Sequence, residues 1–121
     1  MIYVINKATY DGKYKSKYIY NISRPSPLGN PFTYNGKKSS LTKLSFETRE
    51  EAIEAFKMYF KKMYGKNNSL TKYFDEIYNE YKLGNDVYLQ CWCKPLPCHG
   101  DIIKSELEKK YLREKINEKL T

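Results

Sequence analysis

The segment from residue 87 to residue 111 constrains the fold of this chain more than any other. Val87 to Cys91 form a short apolar and aromatic run that suits a buried strand, and Pro95 and Pro97 prevent that strand from continuing. Beyond Gly100, apolar residues recur at helical spacing, namely Ile103, Leu107 and Tyr111. A buried strand that leads through a short turn into a helix is typical of an α/β fold.

The turn between this strand and this helix also carries most of the chemically reactive side chains. It holds all three cysteines, the only tryptophan and the only histidine of the chain: Cys91, Trp92, Cys93, Cys98 and His99. The first amides of a helix are unpaired and its dipole is positive there, so such a turn suits a phosphate or carboxylate. Ligands of open α/β sheets usually bind at the carboxyl ends of the strands. We therefore expect the functional site at this turn.

Length and composition limit the class of protein. The 121 residues fit one compact domain, and we interpret 1–121 as a single α/β domain. The net charge of +8 favours polyanions, although scattered lysines are also typical of a solvated surface. An odd number of clustered cysteines does not suit a disulfide framework, and no apolar run is long enough for a signal peptide or a membrane span. We expect a cytoplasmic protein with reduced thiols and no membrane partner.

The pattern along the rest of the chain predicts two more strands and three helices, at 2–6, 17–22, 48–65, 69–83 and about 98–119. Thr48 and Glu51 form a capping-box pattern at the start of the first helix. The segment from Arg24 to Phe32 contains three prolines and a glycine, which indicates a stiff, irregular loop. This order predicts a small Rossmann-like, three-layer domain with a mainly parallel sheet of three strands. Its uncovered edges favour a homo-oligomer.

Two segments together resemble the DUF4326 family of small bacterial and phage proteins. They are Arg24-Pro-Ser-Pro-Leu-Gly-Asn-Pro-Phe32 and Cys91-Trp-Cys-Lys-Pro-Leu-Pro-Cys-His-Gly-Asp101. The resemblance extends from about residue 18 to residue 107. The family has no assigned activity, so the resemblance implies a phage origin but no mechanism. From it and from the small size we derive the hypothesis of an anti-defence protein in a host–virus interaction, which would sequester an immune signalling nucleotide of the host.

The first functional hypothesis is a cleft for a nucleotide or nucleotide-derived anion between the two segments. Arg24 would add a charge-assisted contact, Gly100 would let the ligand approach the backbone, and Asp101 would accept bonds from ribose hydroxyls. Trp92 would stack on a base. The complete set of predicted ligand-binding residues comprises Arg24, Pro25, Ser26, Leu28, Gly29, Asn30, Trp92, Cys98, His99, Gly100 and Asp101.

The second hypothesis is a small nucleotide or nucleoside hydrolase, or a glycosyl-transferase-like enzyme. Cys98 at a helix N-terminus is expected to have a lowered thiol pKa, and His99 would titrate near neutrality. Asp101 would act as a base or hold the ribose. Against this, adjacent residues seldom point at one atom, and the sequence holds no second histidine to activate Cys98.

Two further alternatives stay open. Donor atoms for zinc are offered by Cys91, Cys93, Cys98 and His99. Their spacing lacks the usual paired cysteine knuckles, so we expect no bound metal ion. We also expect no cofactor. Nucleic acid is the other alternative partner, and it predicts that affinity falls steeply with salt.

Overall fold

A computed structural model describes residues 1–7, 18–34 and 44–121. The described elements are β1 (Ile2–Asn6), β2 (Ile19–Asn21), β3 (Phe32–Tyr34), β4 (Leu44–Phe46), α1 (Arg49–Met63), α2 (Ser69–Lys82), β5 (Val87–Cys91) and α3 (His99–Leu120). The predicted α/β class is therefore confirmed. The Rossmann-like, three-layer arrangement, the single domain and the homo-oligomer stay predictions.

The main sheet is parallel throughout and has β5 in the middle, in the order β1-β5-β2. Ile2 pairs with Val87 and Asn21 pairs with Gln90. Val87, Leu89 and Cys91 alternate as buried residues along β5, as expected of a central strand. The three predicted strands thus form one parallel sheet.

The sequence pattern did not predict the second sheet. It pairs β3 with β4 in parallel, and Phe32 lies opposite Leu44. Each strand has only three residues, too few to show the alternation that identifies a strand. The expected irregular loop therefore ends one residue early, because Phe32 already belongs to β3. Residues 8–17 and 35–43 lie outside the described residues, and with them the first part of the predicted strand 17–22.

The helix ends follow local sequence signals. At α1, the Thr48 hydroxyl accepts from the Glu51 amide at 3.1 Å and the Glu51 carboxylate accepts from the Thr48 amide at 3.0 Å. This confirms the predicted capping box. Gly84, just after α2, has φ of +94°, a conformation that glycine adopts without strain.

The helices cover the sheet with apolar faces. The buried core combines Phe56 and Phe60 of α1, Phe74 and Ile77 of α2, and Ile103 and Leu107 of α3 with the buried residues of β5. Complete burial of such a side chain contributes roughly 1.5–3 kcal/mol to stability. Among the described residues, no helix is both long enough and apolar enough to cross a membrane.

Candidate functional site

The parallel sheet explains why the two sequence motifs meet. Because β2 and β5 are neighbours that run in the same direction, the chain leaves both strands at one edge of the sheet. The loop at 24–32 therefore starts beside the turn at 91–98. A hydrogen bond of 2.6 Å between His99 Nε2 and the Ile22 carbonyl joins the first residue of α3 to the residue after β2. The motifs line a common cavity.

This cavity has a volume of about 280 Å³. The loop after β2 contributes Ser23, Arg24 and Asn30 to its wall. The turn after β5 contributes the three cysteines, Trp92, Pro97 and His99. The remaining described wall comes from the short β3 strand and from the start of α1, which adds Arg49. These four segments, which lie in three separate regions of the sequence, thus enclose one space.

The permanent charges in this wall have one sign. Arg24 and Arg49 line the cavity, whereas the described wall contains neither an aspartate nor a glutamate. The chain has only three arginines among its 22 basic residues, and two of them are here. A guanidinium is planar and matches the geometry of phosphate and carboxylate better than an ammonium does. The cavity is therefore electrostatically suited to an anion.

Arg49 is held in place from several directions. Its Nη2 donates to the Tyr34 hydroxyl at 2.5 Å, and its Nη1 lies 3.4 Å from the Pro97 carbonyl. The guanidinium carbon also lies 4.8 Å from the centre of the Tyr34 ring, within the range of a cation–π contact. These contacts orient a half-buried cation before any ligand arrives.

The Arg24 side chain forms hydrogen bonds within the 24–32 loop to which it belongs. Its Nη1 donates to the Asn30 carbonyl at 2.7 Å and lies 3.3 Å from the Phe32 carbonyl. Asn30 in turn accepts from the Phe32 amide at 2.9 Å and donates to the Ala52 carbonyl at 3.2 Å. Asn30 therefore fastens the loop to α1, while Arg24 places a cationic side chain at the exposed rim of the cavity.

Trp92 forms an aromatic part of the same rim. Its side chain is 58% exposed, which is unusual for the only tryptophan of a chain. The Lys7 ammonium lies 5.4 Å from its ring centre. An exposed indole at the mouth of a cationic cavity is suited to stacking on a planar ligand.

His99 is a buried structural link. Only 7% of the residue is exposed, and its ring meets Phe56 edge to face at 5.0 Å. Burial lowers the pKa of His99 below its ordinary value, and the bond to Ile22 opposes this shift. A neutral imidazole that donates from Nε2 to the Ile22 carbonyl locks α3 to the end of β2.

The expected lowering of the Cys98 pKa is wrong. Hydrogen bonds with the Cys91 and Cys93 thiols, together with burial, raise the pKa of Cys98 and keep it protonated. Interactions with the Cys91 and Cys98 thiols lower the pKa of Cys93, and the Arg49 charge contributes in the same direction. Cys93 lines the cavity and is half-buried.

Gly100 and Asp101 lie away from the cavity. A Cβ on Gly100 would be 2.8 Å from Val4 Cγ1 and 2.9 Å from Ile22 Cδ1, so close helix–sheet packing accounts for this glycine. Asp101 accepts from the Cys98 amide at 3.1 Å and from the Lys94 ammonium at 2.5 Å. Both contacts stabilise the start of α3, where an acidic side chain complements the helix dipole.

Four predicted residues shape the loop without lining the cavity. Leu28 is fully buried in the core, and Pro25 is exposed. Gly29 packs so closely that a Cβ would lie 2.9 Å from Arg24 Cα. The Ser26 hydroxyl is buried without a hydrogen-bond partner. Of the predicted ligand-binding residues, the cavity wall contains Arg24, Asn30, Trp92, Cys98 and His99.

The residues of the predicted enzymatic site do not all line the cavity. Cys98 and His99 share the cavity wall, whereas Asp101 does not line it and instead lines a second pocket beside β1. Within the described part of the chain, no group of three or more histidine, cysteine, aspartate or glutamate side chains is arranged to hold a metal. His99 Nε2 is hydrogen-bonded to the Ile22 carbonyl, so this nitrogen is not available to the ligand set that the sequence offers with Cys91, Cys93 and Cys98.

Sequence reasoning missed Arg49 and Tyr34. Arg49 follows the helix cap Thr48 and reads as an ordinary polar residue of the first turn. Tyr34 belongs to a strand that the pattern does not reveal. The signal that existed was the rarity of arginine, since Arg49 is one of three in a chain rich in lysine.

The fold and the site together define a small α/β protein with parallel sheets and an arginine-lined cavity at the carboxyl edge of the main sheet. Residues 5–109 match the model of the domain of unknown function DUF4326, and the chain belongs to this family. The chain is also 41% identical over 91 residues, 75% of its length and 68% of the relative's, to an uncharacterised 12.4 kDa protein of Enterobacteria phage T4 from the nrdA-td intergenic region. This similarity supports the predicted phage origin. No solved structure matches the chain.

Proposed function

We propose that this protein binds a nucleotide or a phosphorylated ribose derivative in the cavity between the 24–32 loop and the 91–98 turn. The observation that carries the proposal is the pair of arginines, Arg24 and Arg49, in a described wall without a carboxylate. Two cations that face a partly enclosed space attract a compact anion, and the Tyr34 contacts of Arg49 reduce the ordering that binding requires.

The size of the cavity limits the ligand. Its volume of about 280 Å³ is near the lower end of the range of small-molecule pockets, roughly 300–1,000 Å³. This favours one nucleotide unit over a dinucleotide that is completely enclosed. The exposed Trp92 ring at the rim supports a planar base that stays partly outside, with the phosphate inside between the arginines.

The biological role that we propose is sequestration. A phage protein that binds a host signalling nucleotide without cleaving it would lower the free concentration of the signal, and the similar protein from phage T4 makes a phage setting reasonable. Sequestration requires only that the protein binds the nucleotide, without a catalytic step. The competing hydrolase or transferase requires Cys98, His99 and Asp101 to act on one atom, and their placement does not favour it.

A ligand screen tests the proposal. Mononucleotides, cyclic mononucleotides, cyclic dinucleotides and ADP-ribose derivatives are tested for a rise in melting temperature and for a change in the fluorescence of Trp92, the only tryptophan. We expect compounds with one phosphorylated ribose to respond in both measurements. Chromatography of the mixture then separates the two roles, since an intact ligand supports sequestration and a new product supports catalysis.

Salt separates this proposal from nucleic-acid binding. A nucleic-acid interface that neutralises many phosphates loses roughly 10³- to 10⁵-fold in affinity between 50 and 200 mM salt. A ligand with one or two phosphates is expected to lose only a few-fold. If no nucleotide responds while an oligonucleotide binds with a steep salt dependence, the proposed small-molecule site is wrong.

A further inference from the structure

Two buried sulfur atoms are in contact where β5 ends and α3 begins. Cys91 is the last residue of β5, Cys98 is the residue before α3, and their Sγ atoms are 3.3 Å apart. The two residues are only 1% and 2% exposed, and both are free thiols. Since a disulfide bond is about 2.0 Å long, an approach of roughly 1.3 Å would bring these sulfur atoms to bonding distance.

Backbone hydrogen bonds hold both cysteines in place. On β5, the Cys91 carbonyl accepts from the Lys7 amide at 2.7 Å, and Cys91 lies opposite Asn6 in the parallel sheet. At the start of α3, the Cys98 amide donates to the Asp101 carboxylate at 3.1 Å, and the Cys98 carbonyl accepts from the Asp101 amide at 3.0 Å. The two sulfur atoms therefore belong to fixed backbone positions, and a bond between them needs little further ordering of the chain.

The thiol pair also borders the cavity. Cys91 and Cys98 both line its wall, together with Trp92 and Pro97 from the segment that joins them. A small reagent that enters the cavity therefore reaches two thiols that are otherwise covered by the core. A bond between them would close residues 92–97 into a ring, so the change would occur in the wall of the cavity itself.

We propose that Cys91 and Cys98 form a reversible disulfide bond, through which the turn after β5 responds to the balance of thiols and disulfides around the protein. In the first step one of the two sulfur atoms attacks a low-molecular-weight disulfide, whose S–S bond breaks and releases one thiolate. In the second step the other cysteine sulfur attacks the first, and the second thiolate leaves. The two thiolates take up the two cysteine protons. The protein loses two electrons, and the reagent is reduced to two thiols.

The proposed bond links the central strand of the main sheet to the start of the last helix. A cross-link of this kind restricts the unfolded chain, and the native contact already holds the two sulfur atoms together. We therefore expect the oxidised protein to be more stable than the reduced protein. The bond does not depend on the proposed nucleotide, and it can be tested without one.

The first test measures the bond in the unmodified chain. The reduced protein is incubated with mixtures of glutathione and glutathione disulfide until its mass is constant. Exchange is expected to be slow, because hydrogen bonding to Cys91 and burial raise the pKa of Cys98. We expect a loss of two hydrogens, no retained glutathione, and reversal by excess dithiothreitol.

Peptide mass spectrometry assigns the bond. Chymotrypsin cleaves after Trp92 and so separates Cys91 from the other two cysteines. We expect the Cys91 peptide to be joined to its partner peptide through Cys98, while Cys93 remains a thiol that iodoacetamide alkylates. A bond that contains Cys93 in the unmodified protein would overturn the proposal.

Refolding tests the bond without any limit from access to the cavity. The reduced chain is unfolded in urea and refolded in the same glutathione mixtures, so the reagent reaches every thiol before the fold closes. Because folding holds the two sulfur atoms in contact, we expect an equilibrium constant for the bond at least roughly tenfold larger in the folded protein than in urea. Equal constants in the two states, or no bond after refolding, would show that the contact does not favour a disulfide.

Cys93→Ser is the matched control variant. It removes the third thiol of the cavity wall and should leave the equilibrium constant of the bond unchanged. In Cys91→Ala and in Cys98→Ser, the reaction should stop at a glutathione adduct without the loss of two hydrogens. Serine is a preferred helix cap, so Cys98→Ser is expected to fold, and its melting curve checks this. A loss of two hydrogens in either of these two variants contradicts the assignment.

Thermal unfolding gives an independent measurement. A bond that forms more readily in the folded state must stabilise that state, so we expect a higher melting temperature after oxidation of the unmodified chain and of Cys93→Ser. The same treatment should not raise the melting temperature of Cys91→Ala. A lower melting temperature of the oxidised chain would mean that the bond strains the fold, which the proposal excludes.

Discussion

Two pockets that the β5–α3 segment helps to line differ in how their charge is balanced. The first is the cavity at Arg24 and Arg49, whose described wall holds no carboxylate. The second lies beside β1, and its charged residues are Lys94, Asp101 and Lys104. There the Asp101 carboxylate pairs with Lys94 at 2.5 Å.

This difference shows why a basic residue near a helix N-terminus is not in itself an anion site. In the second pocket, Asp101 already supplies the negative charge that the helix start and Lys94 attract. In the first pocket, the described wall contains no carboxylate, and the Tyr34 hydroxyl and the Pro97 carbonyl contact Arg49. We therefore expect an external anion to bind more favourably in the first pocket than in the second.

The largest expected effect comes from Arg49→Ala. Arg49 is half-buried and oriented, so its loss removes a charge-assisted contact that contributes about 1.5–3 kcal/mol. We expect a roughly 10- to 100-fold weaker affinity for the nucleotide found in the screen, measured by titration calorimetry. Arg113→Ala is the control, because this third arginine is exposed on α3 outside the cavity. Equal losses in both variants would indicate that overall charge, not the cavity, attracts the ligand.

Arg24→Ala should have a smaller effect. Its side chain is exposed at the rim, where water screens the interaction with a ligand. We expect a loss of affinity of roughly 2- to 5-fold in the same titration. Arg24→Lys serves as the comparison, since it keeps the charge but not the planar group that bonds to the Asn30 carbonyl. A loss larger than that of Arg49→Ala would reverse the order of the two arginines.

The smallest effect on binding is expected from Asp101→Asn. The side chain lies in the second pocket, so nucleotide affinity should not change. The variant loses the carboxylate at the helix start and its pairing with Lys94, and we expect roughly 0.5–1 kcal/mol less stability in urea unfolding. If Asp101→Asn instead weakens the nucleotide, the ligand reaches around the start of α3 and the two pockets are not separate.

Much of the fold follows from local patterns. The apolar run of β5, the capping box of Thr48 and Glu51 and the helical spacing of α1 and α2 each carry their own signal, and each predicted element exists. The short strands β3 and β4 do not carry one, because three residues cannot show a period. Their pairing depends on partners elsewhere in the chain, which a local window does not contain.

The candidate site divides in the same way. Composition and spacing identified the turn at 91–101 and the stiff loop at 24–32 as the segments expected to hold the functional site. Rare residue types and prolines can be read directly from the sequence, without knowledge of their contacts. Which side chains face the cavity was decided by the packing of α3 on the sheet. That packing buries Gly100 against Val4 and Ile22 and leaves Asp101 in the second pocket, while α1 brings Arg49 to the first. The sequence alone determined the residues and elements available, whereas only the tertiary structure decided which charges lie together, since such contacts join positions far apart in the chain.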